Sequence, residues 1–331
     1  MENTYNRHTY IDKWRFILMI LGAISFMGFP SQYNLFIKVF LSFAAPTFYI
    51  LSGYLVMRKS EHRSERILRA IKKTAIVFAI LSVSYFALNF VMNFGGTLKT
   101  VTTGRFWIDF LVLNIFALPI GGHLWYVQAL LYGYIILYFI DKLKLLKLDL
   151  LIIGLCFITA FLTGDLSGVI GFNFMGHEYL MGNFITRAIP YILIGKRIHD
   201  AKYHNKKASA KNIAVYMTGG ILLLVVEAAT LVSMGQFVYY GHLVGHIFMA
   251  VSAAAFICGN SNCKFRSAGM KEFSVYGTNW IYYIAQPIFT ILNTWMVGEM
   301  PDAVFLSGFL AVASIVFSIG IVLLVQKVVK L

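Results

Sequence analysis

The ionisable side chains that stand in or beside long apolar runs fall into two sets. The first is cationic. Arg15 follows YIDKW and enters an apolar run, with Asp12 three residues earlier on the same helical face. A planar, permanently charged guanidinium fork suits an anionic ligand, phosphate above all. The competing reading is an interfacial arginine that snorkels to the cytoplasm. In MRKSEHRSERILRAIKK, Arg66, Arg69 and Lys73 follow at spacings of three and four, so a helix presents them as one positive stripe. Such a stripe binds anionic lipid headgroups, or holds the phosphates of a nucleotide-containing cofactor. No glycine-rich phosphate loop accompanies it, because GGTL at 95–98 and GG at 219–220 match neither the dinucleotide nor the P-loop pattern.

The second set mixes histidines with one arginine and one carboxylate. His123 opens an apolar run in GGHLWYVQ, Arg187 lies in ITRAIP, Glu227 lies toward the end of its run, and His242 and His246 sit four apart on one helical face. Taken singly, each histidine reads as a hydrogen-bonded core residue. Together they favour an outward-facing polar cavity, since ionisable groups at membrane depth are costly and line cavities or pair with one another. A histidine there would take a proton from a hydroxyl, and Arg187 would bind an oxyanion or organise Glu227. His242, His246 and Glu227 also have zinc-ligand chemistry, but HLVGH lacks the HExxH pattern, and Cys258 and Cys263 have no nearby ligands, so no metal is expected. A basic inner mouth and a polar outer one suit chemistry that links a cytoplasmic donor to an external acceptor. A transporter has the same outline.

The elements that carry these residues must be membrane helices. Hydrophobic residues make up 59% of the 331 positions and charged residues 13%, about half the share of a soluble protein. Runs of this length without alternation select helices, whose backbone groups are satisfied within the segment. Ten spans are expected, at about 14–29, 36–57, 71–93, 123–140, 149–165, 183–195, 212–232, 238–258, 276–294 and 303–326. The connections at 58–70, 141–148, 196–211 and 259–275 then share a side with both termini and, with Arg15, Lys72 and Lys73 at the adjoining helix ends, hold 24 of the 28 Lys and Arg residues. Short basic segments are retained inside the cell, so both ends are expected to be cytoplasmic. The formal charge of +14 is thereby a topology signal and does not point to nucleic acid. The stretch Arg105–Pro119, RFWIDFLVLNIFALP, would invert every later loop if it crossed, and is expected to be interfacial or re-entrant with Phe106 and Trp107 at headgroup level. The first run, followed by many more, reads as an anchor and not a cleaved signal. The fold class is thus all-α, one polytopic bundle over 1–331. Apolar faces toward lipid and toward a second copy look alike, so no oligomeric state is assigned.

Several segments resemble the membrane-bound acyltransferase 3 family, which includes bacterial O-acetyltransferases of surface glycans. They are YIDKWRF at 10–16, PTFYILSGYLVMRK at 46–59, RSERILRAIKK at 63–73, GHLWYVQALLYGY at 122–134 and RAIPYILIGKRI at 187–198. The resemblance implies ten core helices in a cell membrane, the cytoplasmic membrane of a bacterium. It implies acetyl-CoA or another acyl-CoA as donor, and a hydroxyl of an extracytoplasmic glycan or lipid-linked envelope molecule as acceptor. It assigns Arg15, Arg66 and Arg69 to the donor and places His123 and Trp125 in the HLW element. On this reading His123, or His242, is the base, Arg187 or Trp125 orients the acceptor or stabilises the oxyanion, and Glu227 and His246 line the acceptor side. One departure stands out. The family's first-helix histidine, separated from the arginine by ten intervening residues, is replaced here by Phe26, which carries no proton to move. A relocated base, catalysis by positioning alone, and an exporter or non-catalytic homologue remain as alternatives.

Overall fold

A chain this apolar satisfies its backbone polar groups within each segment, and among the described residues all regular structure is helical. The structure, a computed structural model, describes residues 9–27, 39–57, 62–164, 171, 183–201, 209–235, 243–261, 278–296 and 304–329. Its helices are α1 (Thr9–Phe26), α2 (Ala44–Met57), α3 (Arg63–Met92), α4 (Phe94–Val101), α5 (Gly104–Leu111), α6 (Leu124–Lys142), α7 (Asp149–Thr163), α8 (Phe184–Arg187), α9 (Ile189–Asp200), α10 (Ala210–Ser233), α11 (Val244–Gly259), α12 (Thr278–Met296) and α13 (Val304–Val329).

A helix stands over each of the ten expected segments, but among the described residues six, not about ten, are long and apolar enough to cross a bilayer: Val39–Met57, Arg63–Met92, Leu124–Lys142, Leu145–Thr163, Lys211–Ser233 and Leu306–Val325. The difference has physical causes. α1 carries Asp12, Lys13 and Arg15 in its first half. The 12 residues of α9 rise about 18 Å, short of a hydrocarbon core of about 30 Å, and end in Lys196, Arg197 and Asp200. α11 has only 16 residues, and the 19 of α12 include Asn279, Gln286 and Asn293. Both chain termini, and with them their expected cytoplasmic placement, lie outside the described residues.

The stretch 105–119 does not cross. It forms the eight-residue α5, closed by Arg105 Nε to Asp109 Oδ1 at 2.8 Å, followed by a loop. Trp107 is exposed, but Phe106 is buried among Phe86, Phe110 and Phe116, so only one of the two rings expected at headgroup level faces outward.

Two spans form the centre of the bundle. The apolar windows of α2 and α6 are 56% buried, against 17% for α7 and α10, whose outer faces carry Leu150, Leu155, Leu222 and Val226 toward the surroundings. α2 crosses α9 backbone to backbone. A Cβ on Gly53 would lie 2.1 Å from the Ile192 carbonyl oxygen, and one on Gly195 would lie 2.0 Å from that of Ile50. Small residues that let helices touch replace the hydrophobic drive that lipid cannot supply. Gly195→Ala must push the two helices apart, at a cost of about 1–3 kcal/mol. Gly154→Ala, at a helical glycine with open space around it, is expected to be neutral or stabilising by up to about 1 kcal/mol. Thermal unfolding of the two variants in one detergent checks the contrast.

Ion pairs gather the basic connections at one end. Arg63 lies 3.6 Å from Asp141, to which Ser64 Oγ donates at 2.7 Å. A short 3-10 turn, Leu145–Leu148, leads on to Asp149, which receives Lys196 Nζ at 2.7 Å and pairs with Arg197. The start of α3, the α6–α7 connection and the end of α9 therefore share a side, as the charge bias requires.

Candidate functional site

The site is built on one face of α3. Tyr85 and Asn89, four residues apart, reach two ends of the turn 120–123. The Asn89 side chain clamps the backbone of Ile120, donating to its carbonyl at 2.6 Å and accepting from its amide at 3.0 Å. Gly121 follows at φ +116°, where a Cβ would also strike Phe116 and Tyr85. This turn delivers His123, 1% exposed, to the Tyr85 hydroxyl at 2.8 Å from Nε2. The Tyr85 hydroxyl donates its single proton to the Tyr283 carbonyl at 2.7 Å. The Nε2 atom must then be the donor to Tyr85, which leaves Nδ1 unprotonated with an available lone pair. Nδ1 meets no donor or acceptor at full hydrogen-bond geometry among the described residues, although the Gln286 side chain lies within hydrogen-bonding reach of the ring.

Arg15 stands on the other side of a group of rings. Its guanidinium lies 4.8 Å over Phe48 and 3.6 Å from Asp12, close enough to the Tyr126 and Tyr283 hydroxyls for its charge to act on both. From Phe48 the contacts run edge-on to Tyr126 at 5.6 Å, on to Tyr282 at 5.7 Å, and from Tyr282 to His123 at 5.3 Å. Arg15 and His123 thus share a neighbourhood without meeting, and aromatic rings stand between them. Beside those rings lies a narrow cleft of about 10 Å³, walled by Leu18 and Gly22 of α1, Ala44 and Phe48 of α2, Tyr126 and Tyr282.

Arg187 ends α8, a single turn capped by Asn183, whose side chain accepts from the amides of Ile185 and Thr186. Pro190 then starts α9 afresh. The Arg187 guanidinium lies 4.7 Å over the Trp125 ring, a cation–π pair, and its charge acts on Tyr49, Tyr191, Tyr282 and His246. Trp125, Arg187 and His246 therefore belong to one neighbourhood. His246 Nε2 lies 2.6 Å from the Val39 carbonyl oxygen, and the ring is buried.

The remaining site candidates lie elsewhere. Glu227 accepts from the amides of Val244 at 3.0 Å and Gly245 at 2.9 Å, so both carboxylate oxygens cap the start of α11. Arg66 is half-buried near the start of α3, whereas Arg69 is exposed on the same outer face as Leu68, Lys72 and Ile76. His242 and Cys263 lie outside the described residues. Cys156 and Cys258 are buried free thiols, and among the described residues no cluster of three or more His, Cys, Asp or Glu could hold a metal ion.

Sequence reasoning passed over Tyr85, Asn89, Tyr126, Tyr282 and Gln286. Their signal was present as polar groups inside apolar helices, where each needs a partner. Tyrosine, half apolar, hides that signal among the chain's 19 tyrosines.

Comparison with curated proteins and with solved structures finds no match. The acyltransferase 3 family model, described as an acyltransferase domain, matches residues 8–325. A match of that extent takes in α1, the rings beside it, the His123 turn and nearly all of the last helix, and the chain belongs to this acyltransferase family.

Proposed function

We propose that this membrane protein transfers an acyl group, acetyl in the simplest case, from cytoplasmic acyl-CoA to a hydroxyl of an extracytoplasmic glycan or related envelope acceptor. The observation that carries the reading is the buried His123 ring, held by Tyr85 with Nδ1 unprotonated, one group of rings away from Arg15. In an acyltransferase whose first helix ends in Phe26, that nitrogen takes the role of general base. Arg15 and Arg66 neutralise donor phosphates from the cytoplasmic side. Arg69, on the outer face of α3 with Lys72 and exposed apolar neighbours, holds lipid headgroups instead. Arg187 and Trp125 orient the acceptor, with His246 in support. Glu227 contributes indirectly, by holding α10 to α11.

In this arrangement the acceptor oxygen attacks the thioester carbonyl, its proton passes to His123, and the C–S bond breaks to release CoA. Orientation of the two substrates supplies much of the acceleration. The rings between Arg15 and His123 suit transfer of a small group better than passage of a whole glycan.

The deciding experiment follows thiol release from acetyl-CoA by the purified full chain in lipid nanodiscs, with a panel of hydroxyl acceptors. Acceptor-dependent release with formation of the ester is expected. Glycan flux without covalent change, or no release with any acceptor, would replace this reading with export or a non-catalytic role.

A further inference from the structure

We propose that Pro287 is a positioning residue for the base. Because it has no N–H to give the Tyr283 carbonyl, that carbonyl takes the Tyr85 proton, and His123 is thereby held with Nδ1 unprotonated. The inference rests on the assignment of His123 as base above and adds what fixes its tautomer.

Pro287 stands in the interior of α12. In an α-helix each N–H donates to the carbonyl four residues earlier. For position 287 that carbonyl belongs to Tyr283, and proline has no hydrogen to donate to it. A proline ring also crowds the carbonyl it faces, which favours a bend that opens that oxygen to a neighbour. Membrane helices tolerate such a defect where a neighbouring helix satisfies the freed group.

Here the neighbour is Tyr85 of α3. Its hydroxyl donates to the Tyr283 carbonyl at 2.7 Å, and both residues are buried. The same hydroxyl meets His123 Nε2 at 2.8 Å. A hydroxyl has a single proton, and once the carbonyl holds it, only the oxygen lone pairs face the imidazole. The ring proton then sits on Nε2 and the lone pair on Nδ1. An N–H at position 287 would occupy the carbonyl and release the Tyr85 proton toward Nε2. The ring proton would move to Nδ1, and the base would be closed. Other groups of α12 meet the same ring, with Tyr282 edge-on to His123 at 5.3 Å and the Gln286 side chain within reach. One stretch of helix thus supplies the packing, the carbonyl and the missing N–H.

The tautomer can be read directly. The full chain with ¹⁵N-labelled histidine is placed in lipid nanodiscs at neutral pH, and the His123 signals are identified as those absent from His123→Ala. In the wild type Nδ1 is expected to resonate as an unprotonated ring nitrogen and Nε2 as a protonated one. In Pro287→Ala the two are expected to exchange character in most molecules, with CoA affinity unchanged. Acceptor-dependent thiol release is expected to fall about 10-fold, the loss when about one molecule in ten keeps the competent tautomer. Lactic acid in place of Pro287, joined through an ester, lacks both the ring and the N–H and is expected to keep the wild-type tautomer and rate. Tyr85→Phe combined with Pro287→Ala is expected to lose no more activity than Tyr85→Phe alone, because Pro287 acts through Tyr85. A wild type with its proton on Nδ1, a folded Pro287→Ala variant with wild-type nitrogen signals, or an ester variant with the signals of Pro287→Ala overturns the relay, whatever the chain's turnover. Absence of thiol release from a wild type whose tautomer still answers to position 287 overturns the acyltransferase reading and leaves the relay in place.

Discussion

Alanine in place of His123 is expected to lower acceptor-dependent thiol release by about 10²–10⁴-fold, the range for loss of a general base, while CoA binding stays intact. The size of the effect follows from the tautomer. Tyr85 spends its proton on the Tyr283 carbonyl, so His123 spends its own on Tyr85, and Nδ1 alone remains to receive one. Phenylalanine at position 85 removes the group that sets this tautomer but not the ring, so Tyr85→Phe is expected to fall between the wild type and His123→Ala. A merely structural histidine would show a different pattern. Its loss would lower the melting temperature and CoA affinity together, and residual activity would track the folded fraction. Full turnover by a folded His123→Ala variant would remove the base from this site.

How far the sequence announced this arrangement depends on whether each signal was local. The positive stripe of α3 and the basic connections were legible, because charge bias needs no knowledge of which helices touch, and the Arg63–Asp141 and Lys196–Asp149 pairs gather those connections as expected. SGY and IGK were visible as segments. Their meaning was not, because Gly53 and Gly195 matter only when α2 and α9 cross. Glu227 illustrates the same limit. A carboxylate in an apolar run announces that it needs partners, yet those partners are backbone amides 17 and 18 residues away on another helix. The count of spans went astray for a further reason. Apolar runs were counted as crossings, whereas α1, α9, α11 and α12 trade length or apolarity for the polar residues that the interior uses. Arg66 and Arg69 lie about 60° apart around α3, and that difference leaves Arg66 half-buried and Arg69 exposed.

The second large effect concerns Asp149. Its side chain is fully buried, takes Lys196 Nζ on Oδ2 and pairs with Arg197 through Oδ1. Lys196 is itself nearly buried and also contacts Asp200 at 2.9 Å, whereas Arg197 is substantially exposed. Asp149→Ala leaves the Lys196 ammonium with Asp200 and the Leu146 carbonyl but without its most deeply buried counter-charge. Removal of one partner from a buried pair costs about 3–5 kcal/mol, so the variant is expected to unfold well below the wild-type temperature in detergent. The pair need not be net stabilising for this to hold. Both ions lose hydration when buried, and their attraction does little more than offset that loss. Asp149→Leu combined with Lys196→Met is therefore expected to recover much of the stability, since Arg197 can turn to water. Equal damage from the single and double variants would mean that the ions are needed in their own right, as the latch that holds the α6–α7 turn against the end of α9 and keeps the basic connections on one side.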